Sequence, residues 1–391
     1  NVFSKLINLI IIINNYKTIK YIKYLGNYMK VKKIEVKSYC VDLPTPVQAY
    51  AAGLMTNFGM VIVIITDENN LKGYGYTVMH GEQQASIASI IDHTYRKILI
   101  GSDSTRVEHL WAQMWKKTHY AGRGGSASFA IAAVDTALWD LNARRLNQPL
   151  WRLLGGYDPK VKAYAGNIDL NFPIEKILNN ATKNIEEDGY KAIKMRLGRE
   201  SLKEDINRVE AVRNHIGDDI ELMADANEAW RLDQAIKASN MLSEFNLTWL
   251  EEPISPDNFI GYQQLRLKGQ TPIAAGENLH TLQEFQQLIH FKGVDFPEPD
   301  FTTCGGVTPF MKIAKLAEAN NLPIISHGAH DIHIQLLGAC SNAAYIEVHA
   351  FGIENYISHP MEMKAGYGIA SDRAGIGFDF DFDKLKQYKT N

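Results

Sequence analysis

The sequence predicts a chain of class α/β: a β/α-barrel with a smaller α+β domain ahead of it. Three observations predict this. From about Val161 onward, eight short apolar segments alternate with helical stretches, each about 20 to 30 residues after the last. Before that point the order differs, with strands first and helices after. No G-x-G-x-x-G follows a first strand, which weighs against a doubly wound nucleotide-binding sheet.

Residues 1–28 stand apart from the rest. Isoleucine, asparagine, tyrosine and lysine fill 20 of these 28 positions, with four lysines and no acid. The apolar run Leu6 to Ile13 is broken by Asn8 and is too short to span a bilayer. Asn14-Asn15-Tyr16-Lys17 offers no small-residue cleavage site. An amphipathic surface helix would need lysine and isoleucine on separate faces, and they do not separate. The dominant residues all have A/T-rich codons, so the segment reads as a non-native or disordered leader, with Met29 as the expected start.

The α+β domain is expected over 29–150. Val31 to Val41 alternates apolar and polar positions and reads as a strand. Met60 to Asp67 and Leu71 to Val78 read as two more, joined as a hairpin by the turn-rich Asp67 to Asn70. Thr45 to Phe58 reads as a loop. Helices are expected at Gln83 to Ile100, Thr105 to Thr118 and Ala127 to Leu146. The glycine-rich His119 to Gly125 reads as a surface loop or a lid segment.

The barrel is expected over 151–378. Its eight strands read VKAYA (161–165), AIKMRL (192–197), ELMAD (221–225), LTWLEE (247–252), IAAGE (273–277), VDFPE (294–298), IISHG (324–328) and YIEVH (345–349). Helical stretches such as Pro173 to Asp188, Leu202 to Ile216 and Leu232 to Glu244 separate them.

Composition narrows the function. Apolar residues make up 46%, charged residues 22%, and the formal net charge is −3, which disfavours a nucleic-acid binder. Without the four leader lysines, 37 basic residues face 44 acidic ones, so the remainder stands at −7. Three scattered cysteines, Cys40, Cys304 and Cys340, form no CxxC pair. They exclude a disulfide scaffold and point to a reducing, cytoplasmic compartment. Cys304 reads as a packing residue.

The chemistry gathers at the C-terminal ends of the strands, where a β/α-barrel carries its active site. Three consecutive strands end in Asp225, Glu251 and Glu277. A packed barrel does not place carboxylates there without reason. Two unit charges about 4 Å apart repel by roughly 4 kcal/mol at an effective dielectric near 20, so three converging carboxylates need a divalent ion or a proton. All-oxygen donors favour Mg²⁺ over Zn²⁺. Lys194, Arg196 and Asn227 lie at neighbouring strand ends, Asp300 follows strand six, His327 ends strand seven and Glu347 lies in strand eight. His327, His330 and His333 recur every three residues; the last two read as the start of the next helix rather than as a metal cluster.

This constellation resembles the enolase superfamily, and within it the mandelate racemase-like group. The resemblance covers Met29 to about Phe382. It rests on IKMR (193–196), ADAN (224–227), LEEP (250–253), GEN (276–278), PDFTTCGGVTP (299–309), SHG (326–328), IE (346–347) and the stretch ASFAIAAVDTALWDLNARRLNQPLWRLLGG (127–156). It implies a capping domain on a modified TIM barrel, (β/α)₇β, with a C-terminal tail of about 379–391 folding back on the cap. It implies Asp225, Glu251 and Glu277 as Mg²⁺ ligands, His327 as general base and Asp300 as the carboxylate that orients and charges it. Glu347 would be a protonated acid on the substrate carboxylate. Lys194 matches the first lysine of a K-x-K motif, and Arg196 stands where the second is usual. Asn227, Lys194, Arg196 and Glu347 would contact substrate, a small carboxylate. His80 and Thr45 to Phe58 fall where the family places substrate-selecting loops. A homo-oligomer is also implied.

Arg196 is the informative departure. A two-base racemase needs a base on each face of the α-carbon, and a guanidinium stays protonated. Asn227 is no acid–base group either. The remaining base, His327, suits a one-face reaction: removal of the proton α to a carboxylate, then loss of the 3-hydroxyl as water from an aldonate or aldarate to give a 2-keto-3-deoxy acid. A racemase, epimerase or cycloisomerase is the alternative, and a non-catalytic barrel scaffold is the third reading.

Overall fold

A computed structural model describes residues 29–390; the leader reading for residues 1–28 lies outside the described residues. The chain opens on an antiparallel sheet in the order β1-β2-β3: β1 (Val31–Ala49), β2 (Gly53–Asp67) and β3 (Lys72–His80). The middle strand carries MVIVII without polar alternation because both of its faces are covered. Val61, Val63 and Ile65 enter the core of this domain, whereas Met60, Ile62 and Ile64 join the larger core shared with the barrel. The alanine-rich helix Ser126–Arg145 lies on β3. Gly75 permits this approach, since a Cβ there would strike the backbone of Ala133 and Ala137.

Two expectations for this domain are corrected. Thr45 to Phe58 is no loop: β1 and β2 run on as a hairpin arm, with Val47 opposite Met55 and Ala49 opposite Gly53. Pro44 and Pro46 made the stretch look broken. They fall inside the register shift between Asp42 and Val47, where the ladder does not need their missing N–H groups. The helix expected at Gln83 to Ile100 contains a π turn, Ile91–Tyr95, between Gln84–Ile90 and Arg96–Leu99. Ile87, Ile91, Tyr95 and Leu99 are all buried at four-residue spacing. A regular helix turns such a row about 40° away at each step, and a wider turn keeps the row on one face.

The eight expected barrel segments all fall on parallel strands: β4 (Lys160–Gly166), β5 (Ala192–Arg196), β6 (Glu221–Asp225), β7 (Leu250–Glu251), β8 (Ile273–Ala275), β9 (Phe296–Pro297), β10 (Ile324–Ser326) and β11 (Ala343–His349). The ladder runs β10-β11-β4-β5-β6-β7-β8-β9, so the last strand pairs with the first and the barrel is nearly closed. Helices connect successive strands, whereas only a single 3-10 turn, Ile353–Tyr356, separates β11 from the tail hairpin β12 (Glu362–Lys364) and β13 (Tyr367–Ile369), which pairs back on β4. That is a (β/α)₇β barrel with an N-terminal α+β cap.

The barrel interior is a plug of buried side chains, including Tyr164, Met223, Trp249 and Ile325. Tyr164 and Trp249 meet edge to face at 5.4 Å. Side chains alternate along each strand, so Trp249 and Glu251 both point inward, and the Trp249 indole N–H donates to Glu251 Oε2 at 2.9 Å. The plug is thus the floor on which the strand-end carboxylates stand.

Cap and barrel are tied by buried polar contacts. Thr308 donates its N–H and its hydroxyl to Asp135 at 2.9 and 2.7 Å. The indoles of Trp111 and Trp139 donate to Gly305 O and Thr308 Oγ1, each at 2.9 Å. The tail lies on the cap: Thr390 N donates to Ser38 O at 2.9 Å, and Arg144 pairs with Asp379 at the same distance. Among the described residues, no helix is long and apolar enough to cross a membrane.

Candidate active site

Parallel strands all point their C-terminal ends the same way, so residues ending adjacent strands become neighbours. Asp225, Glu251 and Glu277 therefore converge, with one carboxylate oxygen of each within 4.8 Å of the others. The backbone strains to achieve this. Asn227, Glu228 and Glu252 have φ of 45°, 67° and 31°, a left-handed region that non-glycine residues rarely adopt.

Two cations meet the triad. Lys194 is fully buried; its ammonium pairs with Glu251, stands 2.9 Å from Glu347 Oε1 and 3.8 Å from Asp225 Oδ2. Burial works against that charge, but Glu251 and Glu347 outweigh it and raise the Lys194 pKa. Arg196 pairs with Asp225, and its backbone N–H donates to Asp169 at 2.8 Å.

His327 faces the triad from β10. Its Nδ1 lies 3.2 Å from Asp300 Oδ2, and its Nε2 lies 3.0 Å from Glu277 Oε2. Burial opposes the imidazolium, but Glu277, then Asp300, raise its pKa well above the usual histidine range. The pull is mutual. Burial would raise the Glu277 carboxyl, and His327 overrides it and holds that carboxyl below the usual range. Asp300 is set by its own chain, its Oδ1 accepting from Thr302 N at 2.7 Å.

At Glu347 burial favours the acid, but Lys194 and then His327 hold the carboxyl well below its ordinary range. Its Oε2 also accepts from Gly328 N at 2.7 Å. In this arrangement Glu347 anchors the Lys194 ammonium through Oε1 at 2.9 Å. The histidine repeat does not converge. His333 is buried, its ring bridging Phe301 N (2.9 Å) and Gly328 O (2.7 Å). Burial lowers its pKa to about 4, so it is a neutral strut that ties the Asp300 segment to the loop after His327.

A cavity of about 360 Å³ opens beside the dyad. Glu277, Asp300 and His327 form part of its wall, whereas Lys194, Arg196 and Asn227 do not. The cap contributes His80, Gly125, Ser126 and Phe129. The hairpin arm reaches the site differently: Ala51 N donates to Asn227 Oδ1 at 2.8 Å, and Asn227 Nδ2 donates to Glu277 Oε1 at 3.3 Å. Asn227 thus couples the arm to the triad.

Two residues escaped the sequence reading. Glu298 is fully buried under the site, with Tyr164 OH donating to Oε1 at 3.3 Å and no partner on Oε2. Burial, reinforced by Glu251, pushes its pKa well above the carboxylate range. His349 lies two residues beyond Glu347 on the same face of β11 and lines the cavity. Period-two spacing would have found it. Glu298 was hidden by the prolines on either side of it.

The donor set fits Mg²⁺. It is all carboxylate oxygen, and it is buried.

Comparison with known proteins agrees with this geometry. Residues 33–155 match the mandelate racemase/muconate lactonizing enzyme N-terminal domain, and residues 176–384 match the enolase C-terminal domain-like family. The chain belongs to the enolase superfamily, in its mandelate racemase/muconate lactonizing enzyme-like group. It is similar to the 3,6-anhydro-alpha-L-galactonate cycloisomerase of Streptomyces coelicolor, with 42% identity over 91% of this chain and 98% of that one. It is also similar to the L-talarate/galactarate dehydratase of Salmonella typhimurium, with 33% identity over 83% and 81%. Among solved structures, a racemase from Streptomyces coelicolor with bound magnesium superposes with a TM-score of 0.90, at 41% identity over 92% of this chain and all of that one. L-talarate dehydratase from Polaromonas, complexed with Mg and L-glucarate, gives 0.87 at 31% identity over 93% and 98%. Members of this enolase superfamily group are enzymes, and both dehydratases and cycloisomerases occur among these relatives.

Proposed function

We propose that this chain is a Mg²⁺-dependent lyase-type enzyme acting on a sugar acid. It takes the proton α to the carboxylate and expels the oxygen on the next carbon. The observation that carries this reading is the single cluster formed by the carboxylate triad, Lys194 and the His327–Asp300 pair. Mg²⁺, when held by Asp225, Glu251 and Glu277, supplies positive charge to a substrate carboxylate as it gains a second negative charge.

The chain's own residues do the rest. Asp300 accepts from His327 Nδ1 and so presents Nε2 as the acceptor. His327 takes the C2 proton, and the C–H electron pair passes into an enediolate. Lys194, fixed by Glu347, neutralises part of that charge from the buried floor. Arg196 adds a permanent cation and no second base. The electron pair then forms the C2–C3 double bond as the C3–O bond breaks. His327 returns its proton to the departing oxygen on the same face, and the enol becomes a 2-keto-3-deoxy acid.

The departing oxygen decides the class. From an open aldonate it leaves as water, and the enzyme is a dehydratase. From a 3,6-anhydro aldonate it is the ring ether oxygen, which stays attached through C6, and the enzyme is a cycloisomerase. The cycloisomerase relative at 42% identity supports the second substrate. The cavity adds a constraint: among the described residues no Lys or Arg forms its wall, so a second carboxylate would find no cation there. This favours aldonates, open or anhydro, over aldarates. The test is a panel of aldonates, aldarates and 3,6-anhydro aldonates with Mg²⁺ in D₂O. A 2-keto-3-deoxy product from an aldonate is expected. Deuterium exchange at C2 without product would indicate a racemase, and neither would overturn the reading.

A further inference from the structure

We propose that His327, Glu347 and His349 form a second metal site, for a Zn²⁺-class transition ion, built on the imidazole that the proposed function uses as its base. One donor atom from each of the three lies within 4.8 Å of the other two. An ion at the centre of such a triangle is at most about 2.8 Å from each corner. Shifts of about 0.6–0.8 Å would then bring the donors to the ~2.0–2.2 Å of a zinc site. Side-chain torsions supply that much.

His349 points to a ligand most directly. It is only 7% exposed, and neither ring nitrogen has a hydrogen-bond partner among the described residues. Its ring lies edge-on to Phe351 at 4.2 Å and 5.5 Å from the His327 ring. A buried imidazole without a partner costs free energy unless something completes it. His349 also borders the cavity, which leaves room for a fourth ligand from solvent.

The other two donors are presented correctly. Asp300 on Nδ1 turns the Nε2 lone pair of His327 toward the site, the carboxylate–histidine arrangement of zinc centres. Glu347 uses Oε1 for Lys194, and its Oε2 stands 4.0 Å from His327 Nε2. Two imidazoles and one carboxylate suit Zn²⁺, Co²⁺ or Cu²⁺, whereas Mg²⁺ prefers the all-oxygen triad. The two sites abut, with Nε2 3.0 Å from Glu277 Oε2. An ion in the second site occupies the lone pair that would take a proton, so its occupancy switches the base off.

The test uses the full chain saturated with Mg²⁺ and needs no substrate. Cobalt(II) is added and followed by its visible absorption, and Zn²⁺ affinity is read by calorimetry. One equivalent of Co²⁺ with a four- or five-coordinate spectrum is expected, with Mg²⁺ retained on elemental analysis. His349→Ala is expected to weaken Zn²⁺ by more than the roughly 10–100-fold that loss of an outer-sphere partner costs. Mg²⁺ binding by the variant reports its fold, and His349→Gln is the second variant if alanine fails to fold. Release of Mg²⁺ as Co²⁺ enters, no Co²⁺ uptake by the Mg²⁺-saturated chain, or unchanged Zn²⁺ affinity in the folded variants would each overturn the proposal.

Discussion

Gly166 ends β4 directly beside Glu347, and it gives the sharpest test of how the site is held. A Cβ at this position would stand 2.6 Å from Glu347 Cγ and 2.7 Å from its Cδ, and closer still to Oε1. Real Cβ contacts essentially never fall below 3.0 Å, so Glu347 must move by about 1 Å. The move is directed away from β4, which carries Oε1 off its 2.9 Å contact with Lys194. A 1 Å misplacement of a positioning group costs about 10²-fold in rate. The stability cost is smaller. Overpacking costs about 1–3 kcal/mol, and alanine recovers about 0.4–1 kcal/mol through the unfolded chain. Gly166→Ala should therefore lose about 10²-fold in kcat on the accepted sugar acid while Tm falls by only a few degrees. The assay is turnover beside a thermal melt and a circular dichroism spectrum. Full activity with unchanged Tm would refute the reading of Glu347 as the fixed anchor of Lys194. Collapse of Tm would show that the site effect is only a folding effect.

Other outcomes follow from the same geometry. His327→Asn should lower C2 deuterium exchange and turnover by about 10²–10⁴-fold, since a positioned base supplies that much; retained turnover would remove His327 from the role. Arg196→Lys restores a titratable amine on the second face and should permit exchange with inversion at C2, read as epimer by chromatography, where the parent chain yields none. Chelation should abolish activity and leave the fold intact, because Lys194 and Arg196 already pair with triad carboxylates; adding Mg²⁺ at 100 times its Kd should raise stability by about 2.7 kcal/mol. Burial raises the Asp135 pKa to about 7, against an ordinary value of 3.8. The folded chain then holds a proton that the unfolded chain releases, so this contribution is complete below about pH 4 and lost as pH rises toward 7. The span is of order 4 kcal/mol. Asp135→Asn should flatten the fall of Tm across that window, and an unchanged slope would assign it elsewhere.

Much of the fold and the triad was legible because barrel topology converts sequence order into space. Asp225, Glu251 and Glu277 end consecutive strands, and parallel strands leave such residues no choice but to converge. What was not legible depends on register or on distant packing. Pro44 and Pro46 masked the hairpin arm because a proline removes a ladder N–H, and only the structure shows that both fall in the register shift of an edge strand. Glu298 escaped because Pro297 and Pro299 break the alternation that shows which side chains enter the barrel. Family pattern places Glu347 but not the charges around it: the Lys194 ammonium 2.9 Å away pulls its carboxyl below the ordinary range. The cap's share of the cavity, His80 and Phe129, comes from residues hundreds of positions away from the barrel wall they face, a pairing no local pattern encodes.

Formal charge accounts for the composition of the whole site. Asp225, Glu251, Glu277, Asp300 and Glu347 are five carboxylates, and Lys194, Arg196 and protonated His327 are three cations. Glu298 and Glu252 drop out, the first pushed far up and the second raised to about 8 by burial. The balance is two negative charges with His327 protonated and three with it neutral, so a divalent ion offsets most of the excess. Glu277 and then Asp300, 3.0 and 3.2 Å from its ring nitrogens, raise the His327 pKa. A divalent ion, if held by Glu277, would compete with His327 for that carboxylate and weaken its pull on the imidazole proton. The ion, the base and the substrate charge are therefore coupled through one carboxylate, and Asn227 connects that carboxylate to the cap's hairpin arm. The cap and the strand-end carboxylates thus meet at Asn227, where the sequence shows only a neutral amide.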